Sequence, residues 1–257
     1  MKRYELSHQK NIRDIGGLTG YNGLHIKYGH IYRGGALHKV NDDDIQILNA
    51  FHLTDVIDFR GEDEFIHQPD VRLEGVTYHS CPAIEEKIKK EDRQNDDGNL
   101  LWFVEASTKG HDHMVEQYAR LISMEKSQRA FAHLFQILLE SENKVVYYHC
   151  SQGKDRAGLA TFLIETALGV SYEDRISDYL LSNEAMKDRV EKILGDIKYK
   201  KYYNEEYHQK LLDVFAAKEE YLEAAINEMN NRYGGVLNFI KNVLNVDIDR
   251  LRKLYLE

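Results

Sequence analysis

The sequence predicts an α/β fold, a central, mainly parallel short sheet flanked by helices on both faces. Three observations predict it. Short apolar runs at Ile31-Tyr32, Leu53 to Phe59, Val76 to His79 and Val145 to Tyr148 have the length and composition of strands. Helix-like segments lie between them, and strands that alternate with helices pair in parallel through crossovers. After the last strand the chain is strongly helical through to Glu257.

Each element has a local reason. Asn41 can cap a helix that contains Ile45 and Leu48, with Asp42 to Asp44 favourable in its first turn. Leu159, Phe162, Leu163, Thr166 and Ala167 recur at helical spacing, and Gly169 stands where a helix ends. Leu222, Ala225, Ile226, Met229, Tyr233, Leu237 and Ile240 form the packing stripe of a later helix. Residues of approximately 85–128 differ: a dense mixed-charge block, Glu85 to Asp97, precedes Leu100-Leu101-Trp102-Phe103. They read as an insertion within a single domain of residues 1–257, either a solvated surface segment or a helical lid with Trp102 and Phe103 covering a pocket.

Bulk properties narrow the function. No Pro/Gly/Ser-rich linker divides the 257 residues, and only two prolines occur. A net charge of −9 argues against nonspecific nucleic-acid binding. It does not exclude a basic pocket, because screening removes the influence of charges beyond about 8–10 Å. Two cysteines, Cys81 and Cys150, cannot build a disulfide scaffold. Met1-Lys2-Arg3-Tyr4-Glu5 leads into no apolar signal segment, and no run is long enough to span a bilayer, so a cytoplasmic location is expected.

The chemistry concentrates in His149-Cys150-Ser151-Gln152-Gly153-Lys154-Asp155-Arg156, directly after a strand-like run and before a helix-like one. A loop in that position can turn successive N–H groups inward as an anion nest. The following helix adds the partial positive charge of its N-terminus. Arg156 brings a planar fork that holds two phosphate oxygens. The same surroundings favour the thiolate of Cys150, the form that attacks phosphorus. Ser151, Gln152, Gly153, Lys154 and Arg156 are therefore the expected phosphate-binding set. Lys154 adds a second cation, which favours highly charged substrates or helps to neutralise one phosphoryl group. Asp155 beside an anion site works as an acid or pairs with a cation.

This segment resembles the signature loop of the cysteine-dependent protein tyrosine phosphatases. Its Gly-Lys-Asp-Arg core is the variant of a bacterial and fungal branch whose members act on phosphotyrosine, phosphoserine/threonine and phosphoinositides. The resemblance extends to Asn11-Ile12-Arg13-Asp14-Ile15-Gly16-Gly17, to Ile31-Tyr32-Arg33-Gly34-Gly35-Ala36-Leu37 and to Val56-Ile57-Asp58-Phe59-Arg60. The closing helices, from Tyr221-Leu222 through Tyr233-Gly234-Gly235-Val236 to Leu251 to Leu256, are similar too. It implies a phosphatase-like fold, phosphorylated protein or phosphoinositide substrates, inorganic phosphate as product, and neither cofactor nor metal. Relatives carry a lid near the insertion, and some are secreted. The superfamily usually has Thr or Ser after the arginine, where its hydroxyl assists release of phosphate; Ala157 stands there and implies slower hydrolysis of the phosphoenzyme.

The expected mechanism is two in-line phosphoryl transfers through a phosphocysteine at Cys150, with Arg156 and the loop amides holding the equatorial oxygens. A general acid must protonate the leaving oxygen. Asp58 and Asp155 are both candidates, and the alternative for Asp58 is an ion pair with Arg60. His149 shapes the loop by hydrogen bonding. Arg13, Asp14 and Arg33 line the pocket, brace the loop or form structural ion pairs. His111-Asp112-His113 lacks further ligands at a metal-site spacing. Two rivals share a cysteine in an anion loop: a pseudophosphatase that captures phosphorylated ligands without turnover, and sulfur transfer of the rhodanese type, whose loop lacks this core. The sequence leaves oligomeric state and substrate preference open.

Overall fold

Six strands form one sheet, in the order β1 (Lys2–Tyr4), β2 (Ile12–Asp14), β3 (Ile31–Gly35), β6 (Val146–Cys150), β4 (Asp55–Asp58) and β5 (Thr77–Ser80). The computed structural model describes residues 1–84, 110–199 and 203–257. Strands β3, β6, β4 and β5 run parallel, and β1 and β2 add an antiparallel edge beside β3. The sheet is thus parallel where the apolar runs predicted it. The N-terminal motif, expected to line or brace a pocket, itself forms the second strand.

Residue alternation along each strand divides the core in two. Val146, Tyr148 and Cys150 point into the larger core, together with Ile31, Ile57 and Phe59. Tyr147, Tyr32 and Val56 point the other way, into a smaller core. That smaller core is covered by α1 (Asp42–Asn49), which buries Leu48. Asn41 caps α1 as its sequence predicts: its side chain accepts from Asp44 N at 2.9 Å, and Asp44 accepts from Asn41 N at 3.1 Å.

The larger core is covered by α3 (Gly110–Ser123), α4 (Glu125–Glu140), α5 (Asp155–Leu168), α8 (Glu219–Tyr233) and α9 (Ile248–Tyr255). Helix α2 (Glu62–His67) follows β4, and α6 (Tyr172–Ile197) and α7 (Glu205–Phe215) lie between α5 and α8 in the chain. Helix α5 is buried nearly all round, which its run of apolar and small residues allows. It ends at Gly169, whose φ of 81° closes the helix in the left-handed region.

Of the stretch at 85–128, residues 85–109, including Trp102 and Phe103, lie outside the described residues. The remainder does not form a solvated excursion. Helix α3 buries Met114, Tyr118, Leu121 and Ile122 and packs against α8 and α7. Its polar residues face outward in a helical period, so a mixed sequence concealed a core stripe.

Candidate active site

The segment after β6 is shaped from outside by the partners of its carbonyl groups. The Cys150 carbonyl lies 3.2 Å from His149 Nδ1, and the Ser151 carbonyl accepts from Ala36 N at 3.2 Å. The Gln152 carbonyl accepts from Asn11 Nδ2 at 3.0 Å, and the Gly153 carbonyl from Arg33 Nη2 at 2.8 Å. A trans peptide is planar, so fixing each carbonyl turns the N–H of the next residue the opposite way. The amides of Ser151, Gln152, Gly153 and Lys154 have no hydrogen-bond partner among the described residues. Four successive donors turned away from the bracing elements are what an anion nest consists of.

Close packing holds the loop against β3. Gly153 has φ of +70°, and a Cβ there would lie 2.3 Å from the backbone C and O of Gly34. No side chain fits in that space. The Arg33-Gly34-Gly35-Ala36 landmark therefore supplies a guanidinium, a bare backbone surface and an amide to the loop beside it.

The bracing arginines are themselves fixed. Arg13 and Arg33 converge on Asp178 of α6 at 2.7 Å each, with all three side chains buried. Burial opposes the Asp178 carboxylate, but the two guanidinium charges outweigh it and hold its pKa below the usual value. Glu165 of α5 is also fully buried, and neither of its carboxylate oxygens has a hydrogen-bond partner among the described residues. Burial, reinforced by Asp178, pushes its pKa well up. Asp14 does not reach the loop. Its carboxylate accepts from Gly16 N at 2.8 Å and Gly29 N at 2.7 Å, which closes a turn instead.

Arg156 lies in the first turn of α5, and Glu64 of α2 faces it. The guanidinium donates from Nη1 to Glu64 Oε2 at 2.6 Å, and from Nη2 to Glu64 Oε1 at 3.1 Å and Ser151 Oγ at 3.0 Å. Ser151 Oγ donates in turn to Glu64 Oε1, and Gly61 N donates to Oε2 at 2.9 Å. Burial disfavours the Glu64 carboxylate, yet Arg156 and these hydrogen bonds prevail and hold its pKa at about 2. Sequence reasoning missed Glu64; its only signal is an acidic residue one helical turn beyond Arg60, where it also caps α2.

Lys154 is placed differently from the cation expected to meet phosphate. Its Nζ donates to the Val214 carbonyl at 2.5 Å and the Ala216 carbonyl at 3.1 Å, and lies 3.3 Å from Asp155 Oδ1. An ammonium has three N–H donors, and three acceptors occupy them. The physical reason is the end of α7: its last carbonyls lack helical partners and carry partial negative charge. Of the Lys154 donors, the backbone amide alone has no partner among the described residues. Asp155 begins α5 with its side chain 32% exposed. Its Oδ1 also accepts from Tyr118 Oη at 2.9 Å, while Oδ2 has no partner among the described residues.

Asp58 is held elsewhere. Arg60 donates to it from the backbone N at 2.9 Å, from Nε at 2.9 and 3.0 Å and from Nη2 at 2.7 Å. Arg60 Nη2 also lies 3.0 Å from Asp70, and His149 Nε2 lies 3.0 Å from the same carboxylate. Asp58, Asp70 and His149 bring three ligand-type atoms within 4.8 Å of one another, but Arg60 already sits on both carboxylates. Asp58 is therefore part of a compensated charge cluster beneath the loop.

Cys150 is 3% exposed and ends β6. Asp58 pairs with His149 on one side and with Ser80 on the other, so the next residues outward, Cys150 and Cys81, stand two strand spacings apart. The Cys81 thiol is pushed up to about 12 by burial and by Asp58. Both cysteines are free.

On this α/β sheet a buried cysteine stands at the carboxyl end of a parallel strand. It is followed by four amides without partners among the described residues and by an arginine at the start of the next helix, the order the sequence leads one to expect of a phosphate site. Comparison with known proteins agrees. The model of the tyrosine phosphatase family matches residues 4–257, and the chain belongs to that family and is a phosphatase of its class. Among relatives, a Cupriavidus necator protein assigned by name to the tyrosine-protein phosphatases is 29% identical over 264 residues, covering 96% of this chain and 85% of that protein. The triple specificity protein phosphatase PtpB of Mycobacterium tuberculosis is 21% identical over 282 residues, covering 98% of each chain. Among the described residues no helix is long and apolar enough to cross a membrane.

Proposed function

We propose that this phosphatase hydrolyses phosphotyrosine and related phosphomonoesters through a phosphocysteine at Cys150. The observation that carries the reading is the set of four amides, Ser151 to Lys154, without partners among the described residues, between Cys150 and Arg156. Three equatorial phosphoryl oxygens need donors on several sides, and a preorganised set of amides supplies them without reorganisation. Cys150 Sγ attacks phosphorus, the bond to the leaving oxygen breaks, and that oxygen takes a proton. Water then attacks the phosphocysteine, inorganic phosphate leaves and the thiolate is restored.

Asp155 is the residue we assign as general acid. Asp58 is unsuited to the role, because four hydrogen bonds from Arg60 occupy both of its oxygens and tie it in place. Asp155 is partly exposed, follows the loop directly and keeps Oδ2 without a partner among the described residues. Water in the second step loses its proton to the same oxygen.

On substrate, the occupied donors of Lys154 speak against a lysine-based preference for polyphosphorylated lipids. Phosphotyrosine is the principal substrate in this reading, with phosphoserine/threonine and phosphoinositides as slower ones; the mycobacterial relative is named a triple specificity protein phosphatase. The test is steady-state release of phosphate from para-nitrophenyl phosphate. Cys150→Ser should abolish it; binding of phosphorylated ligand by the wild type with no release would mean a capture module instead. Asp155→Asn should lose activity on phenyl phosphate far more than on para-nitrophenyl phosphate. The same selective loss in Asp58→Asn would reverse the assignment.

A further inference from the structure

We propose that Asp70 is a positioning residue for the nucleophile, acting through His149. The proposal rests on the reading of Cys150 as nucleophile, and its test is made on the imidazole and the thiol, not on turnover, so that the two can fail separately.

The geometry starts from His149, which is fully buried. Its Nε2 lies 3.0 Å from Asp70 Oδ2, and its Nδ1 lies 3.2 Å from the Cys150 carbonyl and 3.8 Å from Asp58 Oδ1. Every one of these neighbours is an acceptor. A neutral imidazole carries a single N–H and would leave one ring nitrogen facing an acceptor lone pair. Asp70 Oδ2 lies off the Nε2–H direction, so Nε2 has no hydrogen-bond partner among the described residues and Asp70 meets the ring as an ion-pair partner, which favours the imidazolium. Asp70 is itself fixed, since its Oδ1 accepts from Leu37 N at 2.8 Å and lies 3.0 Å from Arg60 Nη2. Asp70 thus joins the segment after β3, the arginine after β4 and the residue before the nucleophile.

The charges compensate: Asp58 and Asp70 against Arg60 and His149. The groups facing His149 are Asp58 from β4, Arg60 just beyond it, Asp70 from the segment after α2, and Tyr147 and Cys150 of its own strand, the Tyr147 ring 5.6 Å away. Burial works against a charged imidazole here, yet the two carboxylates outweigh it and raise the His149 pKa above its ordinary value. The consequence lies one residue on. The Nδ1–H of the imidazolium holds the Cys150 carbonyl, and the planar peptide then turns the Ser151 amide toward the anion side. A buried cation also stands beside the residue that must carry a thiolate.

Two explanations of an Asp70→Asn effect differ in sign. If Asp70 acts only as a nearby negative charge, its removal favours the thiolate and alkylation of Cys150 speeds up. If it acts through His149, the imidazole loses its proton, the carbonyl is released and alkylation slows. The experiment measures iodoacetamide alkylation of Cys150 against pH in the wild type and in Asp70→Asn, with nitrogen-15 spectra of the His149 ring. The expected result is alkylation at pH 6 slower by about tenfold in Asp70→Asn, with the pH midpoint moved upward and His149 singly protonated. Faster or unchanged alkylation of the folded variant, with a lowered melting temperature alone, would overturn the proposal. Should Asp70→Asn fail to fold, the wild-type spectrum decides: two protonated ring nitrogens at pH 7 support the proposal, and a neutral ring refutes it.

Discussion

Arg33 Nη2 donates to the Gly153 carbonyl at 2.8 Å while its Nη1 holds Asp178 at 2.7 Å, so one buried guanidinium ties the loop after Cys150 to helix α6. Arg33→Gln removes a charge from a buried network and leaves Asp178 with Arg13 alone. Breaking such a pair typically costs about 3–5 kcal/mol. We expect a loss of that order in urea unfolding, together with vanadate affinity weakened at least about tenfold as the Gly153 carbonyl goes free. Unchanged vanadate affinity would show that the loop holds its shape without this contact.

Glu64 predicts a pH dependence. Its folded value of about 2 lies below the ordinary 4.5, so it contributes stability that is fully present above pH 4.5 and is lost as pH falls toward 2. Glu64→Gln removes the titrating group. The difference in melting temperature between wild type and Glu64→Gln should therefore be largest at pH 5–7 and shrink between pH 4.5 and 2. A difference that is constant across that window would mean that the Arg156 pair is not what lowers the carboxylate.

Lys154 should behave as a strut. Lys154→Met withdraws the ammonium from the Val214 and Ala216 carbonyls, which should lower the melting temperature by several degrees. Rates on phosphotyrosine peptide and on phosphoinositides should fall together. A loss confined to phosphoinositides would show that the ammonium leaves α7 for substrate.

Ala157 is fully buried, and its carbonyl accepts from Thr161 Oγ1 at 2.8 Å. Ala157→Thr places a hydroxyl one residue beyond Arg156 at the cost of overpacking, typically about 1–3 kcal/mol. We expect lower stability but faster release of phosphate in steady state, with the initial burst unchanged. If burst and steady-state rate both stay as in the wild type, hydrolysis of the phosphoenzyme is not the slow step.

The parallel strands, the capped helix at Asn41 and the loop from Cys150 to Arg156 were legible because each rests on local chemistry: apolar runs, a cap, a strand–loop–helix order. What the sequence hid is long-range. Asp178 lies 165 residues from Arg13 in the chain, and nothing near it marks it as the partner of two arginines. Asp70 sits in an unremarkable loop and gains its meaning only from Arg60 and His149. Lys154 read as a phosphate ligand because it stands within the expected phosphate-binding segment; that α7 ends beside it is a matter of tertiary packing. Asp58 shows the same limit: both an acid and an ion pair with Arg60 suited the strand end, and the contact with Arg60 becomes visible only in the geometry.

The position of Phe59 between the strand ends of Cys81 and Cys150 bears on how the thiol withstands peroxide. Two strand spacings come to roughly 9.5 Å, whereas a disulfide needs Cα atoms closer than about 7 Å. Residue 81 thus could resolve a sulfenic acid at residue 150 only with backbone movement, and the chain has no third cysteine. In this arrangement a small-molecule or protein thiol from outside the fold is the nearest route back from the sulfenic acid.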